Sequence, residues 1–504
     1  MTYRGPFLLR LLSFAGSVVL VAVMALRATG FAPSSVHAQE TALQWSEAER
    51  VWGYEDEADS PFMVADQNRT VHAMNSRTLE PGHIDVTYRQ WTADYGWTEP
   101  VDVLLSPKKD IARLRGLVLN DQGYLSVVFY GGDEQDASIY YSYAPVAEAA
   151  RASAWAPPRE IAPFAGPIND AAMIGDGKER LFVIYTGSAE GMGVYSTYSL
   201  DGGISWSEPI QVHASTLGQW PIHYGLYLDR DGRLHVAWSE ADETGNGQLL
   251  FYTRLDDPNS TWIEPVVLDS YKEWEVDTPA IVESGDELLL VFHRGFPTTR
   301  TLRRSLDHGQ TWSPSVRLFD QIGTDEAVSF IYDSNGTLHG FFGNRVGSPA
   351  IHGLWHTIYS NGRFKEPQGV VAGPPIDDRV GDNSFDPQNA RAVAVQGNTL
   401  LVTWRQDPGL KGNGVWYSVA QVDAPELPVV PWPTTEVSSI VQTTTAEPTA
   451  VPATPTPSLP VVSPALPTAS RPMFSIGGPL LLAALSTLAL VGIVLLMHVR
   501  RRAR

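Results

Sequence analysis

The sequence predicts an all-β fold, a β-propeller of four-stranded antiparallel blades. Three observations lead to this prediction. A short aromatic–proline pattern recurs along the middle of the chain, each repeat has the same order of short strands and tight turns, and the last repeat lacks one strand. Repeats of one supersecondary unit that cannot bury its own apolar face are typical of propellers and solenoids.

The repeated pattern is an aromatic residue, two variable positions and, in most copies, a proline. Its copies begin at Trp97, Trp155, Trp206, Trp262, Trp312 and Phe364. The interval of roughly 50 residues lies in the range of propeller blades.

Each repeat contains four strand signals in a constant order. An apolar strand leads to a turn rich in Asp, Asn and Gly, as at 229–232 and 333–336. A strongly apolar second strand follows, as at 400–404, then a Tyr- and Ser-rich third strand, as at 193–198. The aromatic–proline pattern opens the fourth strand. Four short antiparallel strands per repeat form a propeller blade.

The seventh repeat, at about 390–422, contains three strand signals. The missing fourth strand has a candidate near the N-terminus, where Trp45 starts a partial copy of the aromatic pattern. A ring closed by an N-terminal strand has no exposed sheet edge at its junction. The repeats therefore predict seven blades, with six or eight as alternatives.

Two repeats carry a more specific motif, Ser-x-Asp-x-Gly-x-Thr/Ser-Trp. Its residues are Ser199, Asp201, Gly203 and Trp206 in one repeat and Ser305, Asp307, Gly309 and Trp312 in another. The motif resembles the Asp box, or bacterial neuraminidase repeat, of the sialidase-like superfamily. The resemblance implies a propeller with Asp boxes between the third and fourth strands, on the face away from an active site.

The resemblance also implies the site of a sialidase, with three arginines, a Tyr/Glu pair and an Asp. The sequence departs from that family in two respects: it has no Arg-Ile-Pro motif, and it has seven repeats where sialidases have six blades. Both departures weigh against catalysis, because function depends on the site and not on the fold.

Arginines directly after second strands are the predicted substrate-binding residues. They are Arg77, Arg294, Arg345 and Arg405. Strand alternation places these positions on the face opposite the Asp boxes. Guanidinium groups bind carboxylates bidentately, so the four residues could hold an acidic sugar. The alternative is that they are rim arginines paired with nearby carboxylates.

Acidic residues and a tyrosine are predicted on the same face. They are Asp133, Glu240, Asp277, Glu326, Asp382 and Tyr224. Glycosidases need a proton donor and a nucleophile. Glu240 with Tyr224 is the predicted Glu/Tyr pair, and Asp133 the predicted acid/base. The alternative is that each is a solvated loop residue.

The composition excludes several function classes. The chain has 36 Lys and Arg against 56 Asp and Glu, a formal net charge of −20, which disfavours nucleic acid as a partner. It has no Cys, so thiolate chemistry and disulfides are excluded. Its histidines do not have the spacing of a zinc hydrolase. The sequence therefore predicts no metal and no other cofactor.

The two ends of the chain predict export and anchoring. Residues 1–38 have the pattern of a signal peptide, and the propeller is predicted at 39–422. A Pro/Thr-rich stalk is predicted at 423–472 and a transmembrane helix at 473–499. The arginine-rich tail at 500–504 predicts a cytoplasmic C-terminus and an extracellular propeller.

Two functions follow as hypotheses. One is a non-catalytic propeller that recognises a glycan or protein ligand at the cell surface. The alternative is an exo-glycosidase of the sialidase type that cleaves terminal acidic sugars. A structural role in a surface layer is a third hypothesis, supported by the stalk and anchor alone.

Overall fold

The computed structural model of the protein describes most of the region between residues 43 and 432. The described ranges are 43–54, 58–168, 170–216, 218–243, 245–272, 275–295, 299–319, 327–344, 353–372, 387–406 and 414–432. The predicted signal peptide, transmembrane helix and basic tail lie outside them. Within these ranges, no helix is long and apolar enough to span a bilayer.

The described strands, numbered β1 to β30, form seven antiparallel sheets, which confirms the predicted all-β propeller of seven blades. Blade 1 contains β2 (Phe62–Ala65), β3 (Val71–Glu80), β4 (His83–Thr92), β5 (Gly96–Trp97) and β6 (Val101–Leu104). Blade 2 contains β7 (Ala112–Leu119), β8 (Tyr124–Gly131), β9 (Ser138–Pro145) and β10 (Arg159–Ala162), with 3-10 turns at Val146–Glu148 and Ala152–Ala154. Blade 3 contains β11 (Ala171–Gly175), β12 (Leu181–Gly187), β13 (Gly193–Ser199) and β14 (Ile210–Ala214).

The other four blades follow the same plan. Blade 4 contains β15 (Trp220–Leu228), β16 (Leu234–Ala241), β17 (Gly247–Leu255) and β18 (Val266–Ser270). Blade 5 contains β19 (Val276–Ser284), β20 (Glu287–Arg294), β21 (Thr299–Ser305) and β22 (Val316–Arg317). Blade 6 contains β23 (Ser329–Tyr332), β24 (Leu338–Asn344), β25 (Gly353–Ser360), β26 (Arg363–Phe364) and β27 (Gln368–Ala372). Blade 7 contains β28 (Pro387–Val395), β29 (Thr399–Gln406), β30 (Gly414–Gln421) and β1 (Glu49–Arg50).

The first strands of the blades form an inner ring. Each contacts the first strand of the next blade, and β2 contacts both β7 and β28, so that the ring closes. Apolar side chains fill the space between neighbouring sheets; for example, Phe182 and Ile184 of blade 3 pack with Trp238 of blade 4. The ring surrounds a central channel, and a cavity lies at each of its ends.

Blade 7 is closed by the N-terminus, as the sequence predicts. Strand β1 pairs with β30, and Trp45 forms an isolated antiparallel bridge with Ala420. The sheet order is therefore β1-β30-β29-β28, with its outermost strand taken from the start of the chain. This pairing joins the two ends of the propeller and covers the edge of β30.

The turns between first and second strands are stabilised by an aspartate side chain. Asp66 Oδ1 accepts hydrogen bonds from the N–H groups two and four residues later, each at 2.8 Å. The same two bonds recur at Asp176, Asp229 and Asp333. These Asx turns explain why Asp at this position recurs in the sequence.

The Asp boxes form compact loops between third and fourth strands, the position implied by the family resemblance. Ser305 Oγ donates to Asp307 Oδ1 at 2.7 Å and accepts from the Gly309 N–H at 2.7 Å. Asp307 in turn accepts from the Thr311 N–H at 2.8 Å. The box at 199–206 has the same bonds.

The Trp of each box packs against the preceding blade. The ring centroids of Trp206 and Tyr141 lie 5.1 Å apart, and those of Trp312 and Tyr252 lie 4.9 Å apart. Each box therefore links two blades at one end of the propeller. We call this end, which also carries the turns between first and second strands, the Asp-box face.

Residues 423–432, the beginning of the predicted stalk, lie along the Asp-box face. The Leu427 N–H donates to the carbonyl oxygen of Gln396 at 2.8 Å, and the Val430 N–H donates to that of Gln67 at 3.1 Å. The Trp432 Nε1–H donates to Asp66 Oδ2 at 3.0 Å. The chain therefore contacts blades 7 and 1 as it crosses the face opposite the candidate site.

Candidate functional site

A cavity of about 550 Å³ opens at the end of the channel opposite the Asp-box face. We call it the funnel. Its lining includes Phe62, Arg115, Asp170, His223, Tyr224, Thr278, Gln388, Asn389, Arg391 and Arg405. Most of these residues belong to first strands or directly precede them. The residues named come from six of the seven blades and face one another across a single opening.

Bulges in the first strands bring polar side chains into the funnel. The register of β15 shifts between Ile222 and Gly225, and that of β28 shifts between Gln388 and Arg391. Strands β7 and β19 have equivalent shifts around Arg115 and Thr278. A bulge re-aims side chains without ending the sheet, and bulges are common beside functional sites.

Three bulge residues have left-handed backbone conformations: His223 at φ 54°, Thr278 at φ 50° and Asn389 at φ 49°. Asn tolerates this region, but a β-branched residue such as Thr rarely adopts it. Strained residues persist only where the surrounding structure holds them, and they concentrate at ligand sites.

Three arginines give the funnel wall a positive charge. Arg391 Nη1 donates to the carbonyl oxygen of Ser60 at 2.7 Å, and its guanidinium lies 3.6 Å from the ring centroid of Phe62. Arg405 Nη1 lies 2.9 Å from Asp59 Oδ1 and its Nη2 lies 2.8 Å from Gln388 Oε1. These contacts hold the guanidinium groups in place, which favours recognition of a carboxylate or sulfate.

Arg115 is the third arginine of the funnel wall. Its guanidinium lies 5.7 Å from the ring centroid of Tyr130. Asp170 faces the same cavity and accepts a hydrogen bond from the His223 N–H. The wall thus combines three guanidinium groups with one carboxylate, a positive surface in a chain whose net charge is −20.

His223 is bound to an acidic neighbour. Its Nδ1 lies 2.9 Å from Asp277 Oδ1. The ring is half exposed at the funnel; its partial desolvation opposes the charge, but the Asp277 carboxylate outweighs this effect and raises the pKa of His223 to about 9.

The predicted arginines do not all reach the funnel. Arg405 lines it, whereas Arg294 Nε is bonded to Asp269 Oδ1 at 3.1 Å and Arg77 is bonded to Asp102. Arg345 lies outside the described residues. Arg115 and Arg391 also line the funnel, although they lie on first strands and not at the positions after second strands where arginines were predicted. Polar residues at the start of inner strands, as in 388–391, were the available signal.

The two members of the predicted Tyr/Glu pair have different hydrogen-bond partners in the structure. Tyr224 lines the funnel, but its Oη is bonded to Thr186 Oγ1 at 2.7 Å. Glu240 is buried beside it in the sheet, where its Oε1 accepts from Ser215 Oγ at 2.7 Å and lies 3.0 Å from His213 Nε2. Burial raises the pKa of Tyr224 well above its ordinary value, which opposes ionisation of the phenol.

The predicted acid/base residue, Asp133, lies on the exposed rim of blade 2. Its Oδ2 is 2.6 Å from Lys109 Nζ, and this bond lowers the pKa of Asp133 to about 2. The carboxyl group is therefore ionised at neutral pH. Glu326 and Asp382 lie outside the described residues.

The fold and the two Asp boxes define the class of this protein: it is a seven-bladed β-propeller with Asp-box repeats, and it resembles the sialidase-like propellers. The family model described as a BNR repeat-like domain matches residues 123–338, which run from blade 2 into blade 6. A search of curated protein sequences finds no match.

Solved structures similar to the chain include three proteins with different descriptions. A Dyadobacter fermentans protein of unknown function is 15% identical with a TM-score of 0.47, over 76% of this chain and 100% of that one. The NanB sialidase of Streptococcus pneumoniae is 13% identical with a TM-score of 0.42, over 75% and 70%. An ulvan lyase, a polysaccharide lyase, is 12% identical with a TM-score of 0.46, over 73% and 95%.

Proposed function

We propose that the protein is a membrane-anchored extracellular propeller that binds an acidic glycan in the funnel. The observation that carries the proposal is the set of Arg115, Arg391 and Arg405 on the wall of one cavity. Three guanidinium groups surround one opening of a protein whose net charge is negative. Their local positive charge attracts anions to this opening, whereas the rest of the surface repels them. A uronic acid, a sialic acid or a sulfated sugar has the required charge.

The ends of the chain support the location. The signal-peptide pattern at 1–38 and the apolar segment at 473–499 predict a tethered, exported protein. The chain runs along the Asp-box face between 423 and 432. The described residues therefore end on the side of the propeller opposite the funnel.

The test is binding of acidic oligosaccharides to the purified full-length protein, measured by calorimetry for sialylated, uronate-containing and sulfated sugars. Arg391→Lys keeps the charge but loses the planar fork, so we expect affinity to fall roughly 10-fold. Arg391→Gln should reduce it on the order of 100-fold, the effect of a charge-assisted hydrogen-bonded pair. Affinity should also fall with added salt.

Arg294→Gln is the matched control, because Arg294 lies at the same end of the propeller but pairs with Asp269 outside the funnel. It should bind these sugars as the parent does. Equal binding by the Arg391 variants, or a preference for neutral sugars, would contradict the proposed site.

Hydrolysis of a terminal acidic sugar is the second candidate function, favoured by the presence of Tyr224 in the same cavity as the arginines. A fluorogenic sialoside assay distinguishes the two functions. Turnover that is lost in Tyr224→Phe would establish a glycosidase. Binding without turnover would support the recognition function, in agreement with the bonding of the phenol to Thr186.

A further inference from the structure

Three potential metal ligands meet where β19 begins and β20 ends. Oxygen atoms of Glu275 and Asp277 and a ring nitrogen of His293 lie within 4.8 Å of one another. The His293 ring is fully buried, the Asp277 side chain is 4% exposed and that of Glu275 is 14% exposed. Two carboxylates and an imidazole thus share one sheltered position beside the funnel.

The His293 ring directs a nitrogen atom into this cluster. Its Nε2 is buried, and it has no hydrogen-bond partner among the described residues. The nearest acidic atom, Glu275 Oε1, is 3.1 Å away. A buried polar nitrogen normally has a partner, since leaving it unpaired destabilises the folded state. Two ligand atoms each about 2.1 Å from one ion, at an angle of roughly 95°, would have this separation.

Other hydrogen bonds hold the cluster in an orientation suited to a cation. Thr278 Oγ1 lies 2.7 Å from His293 Nδ1, so Nδ1–H can donate to the hydroxyl while Nε2 keeps its lone pair. Asp277 Oδ1 accepts from the Thr278 N–H at 2.6 Å and from His223 Nδ1 at 2.9 Å. Metal-binding imidazoles and carboxylates are typically oriented by such outer contacts.

We infer that Glu275, Asp277 and His293 form a binding site for a divalent cation that accepts nitrogen and oxygen ligands, with Zn²⁺ or Mn²⁺ as the best match. One imidazole and two carboxylates suit these ions better than Ca²⁺, which takes six to eight oxygen ligands. The site adjoins the funnel through His223 and Thr278, which belong to both. It does not depend on which glycan the funnel binds.

A second group of the same residue types provides a contrast. Asp229, Asp231 and His308 also lie within 4.8 Å of one another, on the Asp-box face. There Arg233 Nη1 lies 3.0 Å from Asp229 Oδ2 and 2.7 Å from Asp231 Oδ2, so one guanidinium bridges both carboxylates, whereas in the proposed site the His223 ring is bonded to Asp277 alone. This group serves as the control.

The test is calorimetric titration of the EDTA-treated full-length protein with ZnCl₂, MnCl₂ and CaCl₂, with metal content measured after dialysis. We expect one Zn²⁺ or Mn²⁺ ion per chain and an increase in Tm when it binds, because a ligand that binds only the folded state stabilises it. His293→Gln and Glu275→Gln should each weaken binding on the order of 100-fold and abolish the increase in Tm. Asp231→Asn should change neither.

If His293→Gln fails to fold, Glu275→Gln alone decides the outcome. Glu275 is more exposed than His293, so its substitution disturbs the packing of the fold less. The inference is overturned if no ion binds, if Ca²⁺ binds best, if Glu275→Gln binds as the parent does, or if Asp231→Asn loses the ion.

Discussion

The two faces of this propeller are built from different kinds of contact. On the Asp-box face, side chains bond to the backbone two and four residues away, and the same arrangement recurs from blade to blade. In the funnel, the contacts join distant parts of the chain: Arg405 is 346 residues from its partner Asp59. Local contacts can be copied with each repeat, whereas each blade contributes a different side chain to the funnel.

Left-handed backbone positions occur on both faces but serve different contacts. Gly203 and Gly309 occupy the left-handed positions of the Asp boxes that approach a neighbouring tyrosine. The funnel bulges instead have His223, Thr278 and Asn389 in left-handed conformations. The Asp-box face also contains a left-handed non-glycine residue, His308 at φ 56°, but the left-handed residues of the funnel bulges are the ones that line the cavity.

The largest effect is expected where the Asp-box face is most tightly packed. In Gly309→Ala, the new Cβ would lie 1.7 Å from Tyr252 Oη, and the hydroxyl is held by His235 at 2.8 Å. Overpacking together with a positive φ should lower the free energy of unfolding by roughly 2–4 kcal/mol. Urea denaturation of the full-length protein, monitored by Trp fluorescence, measures this change.

Gly202→Ala is the matched control. Gly202 also has a positive φ, of 71°, but an added Cβ would meet no atom within 4 Å. The equivalent position of the other box holds His308, so this site accepts a side chain. We expect a loss of about 1 kcal/mol or less. Equal losses in the two variants would show that the close approach to tyrosine is unimportant.

Blade 6 departs from the repeated pattern and should respond to acid. In blades 1 and 4, a buried His on the second strand is bonded to a Tyr on the third, as in His72 with Tyr88 at 2.7 Å. In blade 6 the partner of His339 is His356, at 2.9 Å. Burial, reinforced by the neighbouring His339, lowers the pKa of His356 to about 3.

The unfolded chain therefore takes up a proton at His356 before the folded protein does. Its contribution to stability is complete above the unfolded pKa of about 6.5 and is lost progressively as the pH falls toward 3. Between pH 7 and pH 5 this amounts to roughly 2 kcal/mol. His356→Tyr restores the His–Tyr pair found in blades 1 and 4. We expect the fall in the free energy of unfolding between pH 7 and pH 5, measured by urea titration, to be smaller by that amount in this variant. An unchanged difference between them would place the acid sensitivity elsewhere.

A smaller effect is expected from the Asp-box carboxylate. Asp307 accepts from Ser305 Oγ, the Thr311 N–H and Thr311 Oγ1 at 2.6–2.8 Å. Asp307→Ala should lower the free energy of unfolding by about 1–2 kcal/mol, since the partners are partly solvated. The Asp286 side chain is 96% exposed, so Asp286→Ala should change the free energy of unfolding by only a few tenths of a kcal/mol. A result near zero for Asp307 would mean that the box depends on its Trp and Gly.

The smallest effect is expected in the funnel, and it should be a gain in the free energy of unfolding where the other variants show a loss. Thr278→Asn replaces a β-branched residue at φ 50° by one that tolerates the left-handed region. The asparagine amide must also replace the bond from Thr278 Oγ1 to His293 Nδ1, so we expect the free energy of unfolding to rise by at most about 1 kcal/mol. Thr253→Asn, at a buried position of β17, should lower it. A loss of stability in Thr278→Asn would show that the bond from Thr278 to His293 outweighs any relief of backbone strain at this position.

Much of the fold was predictable because its signals are local. The turn aspartates, the two Asp boxes and the aromatic–proline pattern each act within a few residues, and Trp45 marked the strand that closes the ring. The contacts of residues 423–432 were not predictable. Their proline-rich composition signals an extended chain, whereas the bond from Trp432 to Asp66 depends on where the chain passes the propeller.

The site was only partly predictable. Tyr224 and Arg405 were expected at the funnel end of the propeller and line the cavity there. Arg115 and Arg391 reach the same cavity through bulges in first strands, and no pattern of residue types reveals a bulge. Glu240 was expected to pair with Tyr224, but the strand register turns its carboxylate toward Ser215 and His213.

The amino-acid sequence was enough to predict the class of fold, the closing strand and the Asp boxes and to favour seven blades over six or eight, because these follow from hydrogen bonds and apolar periodicity within each repeat. The tertiary structure alone decided which side chains meet in the funnel and around His293. Those residues come from different blades or strands, and their approach depends on register, bulges and ring closure, none of which is encoded in any one segment.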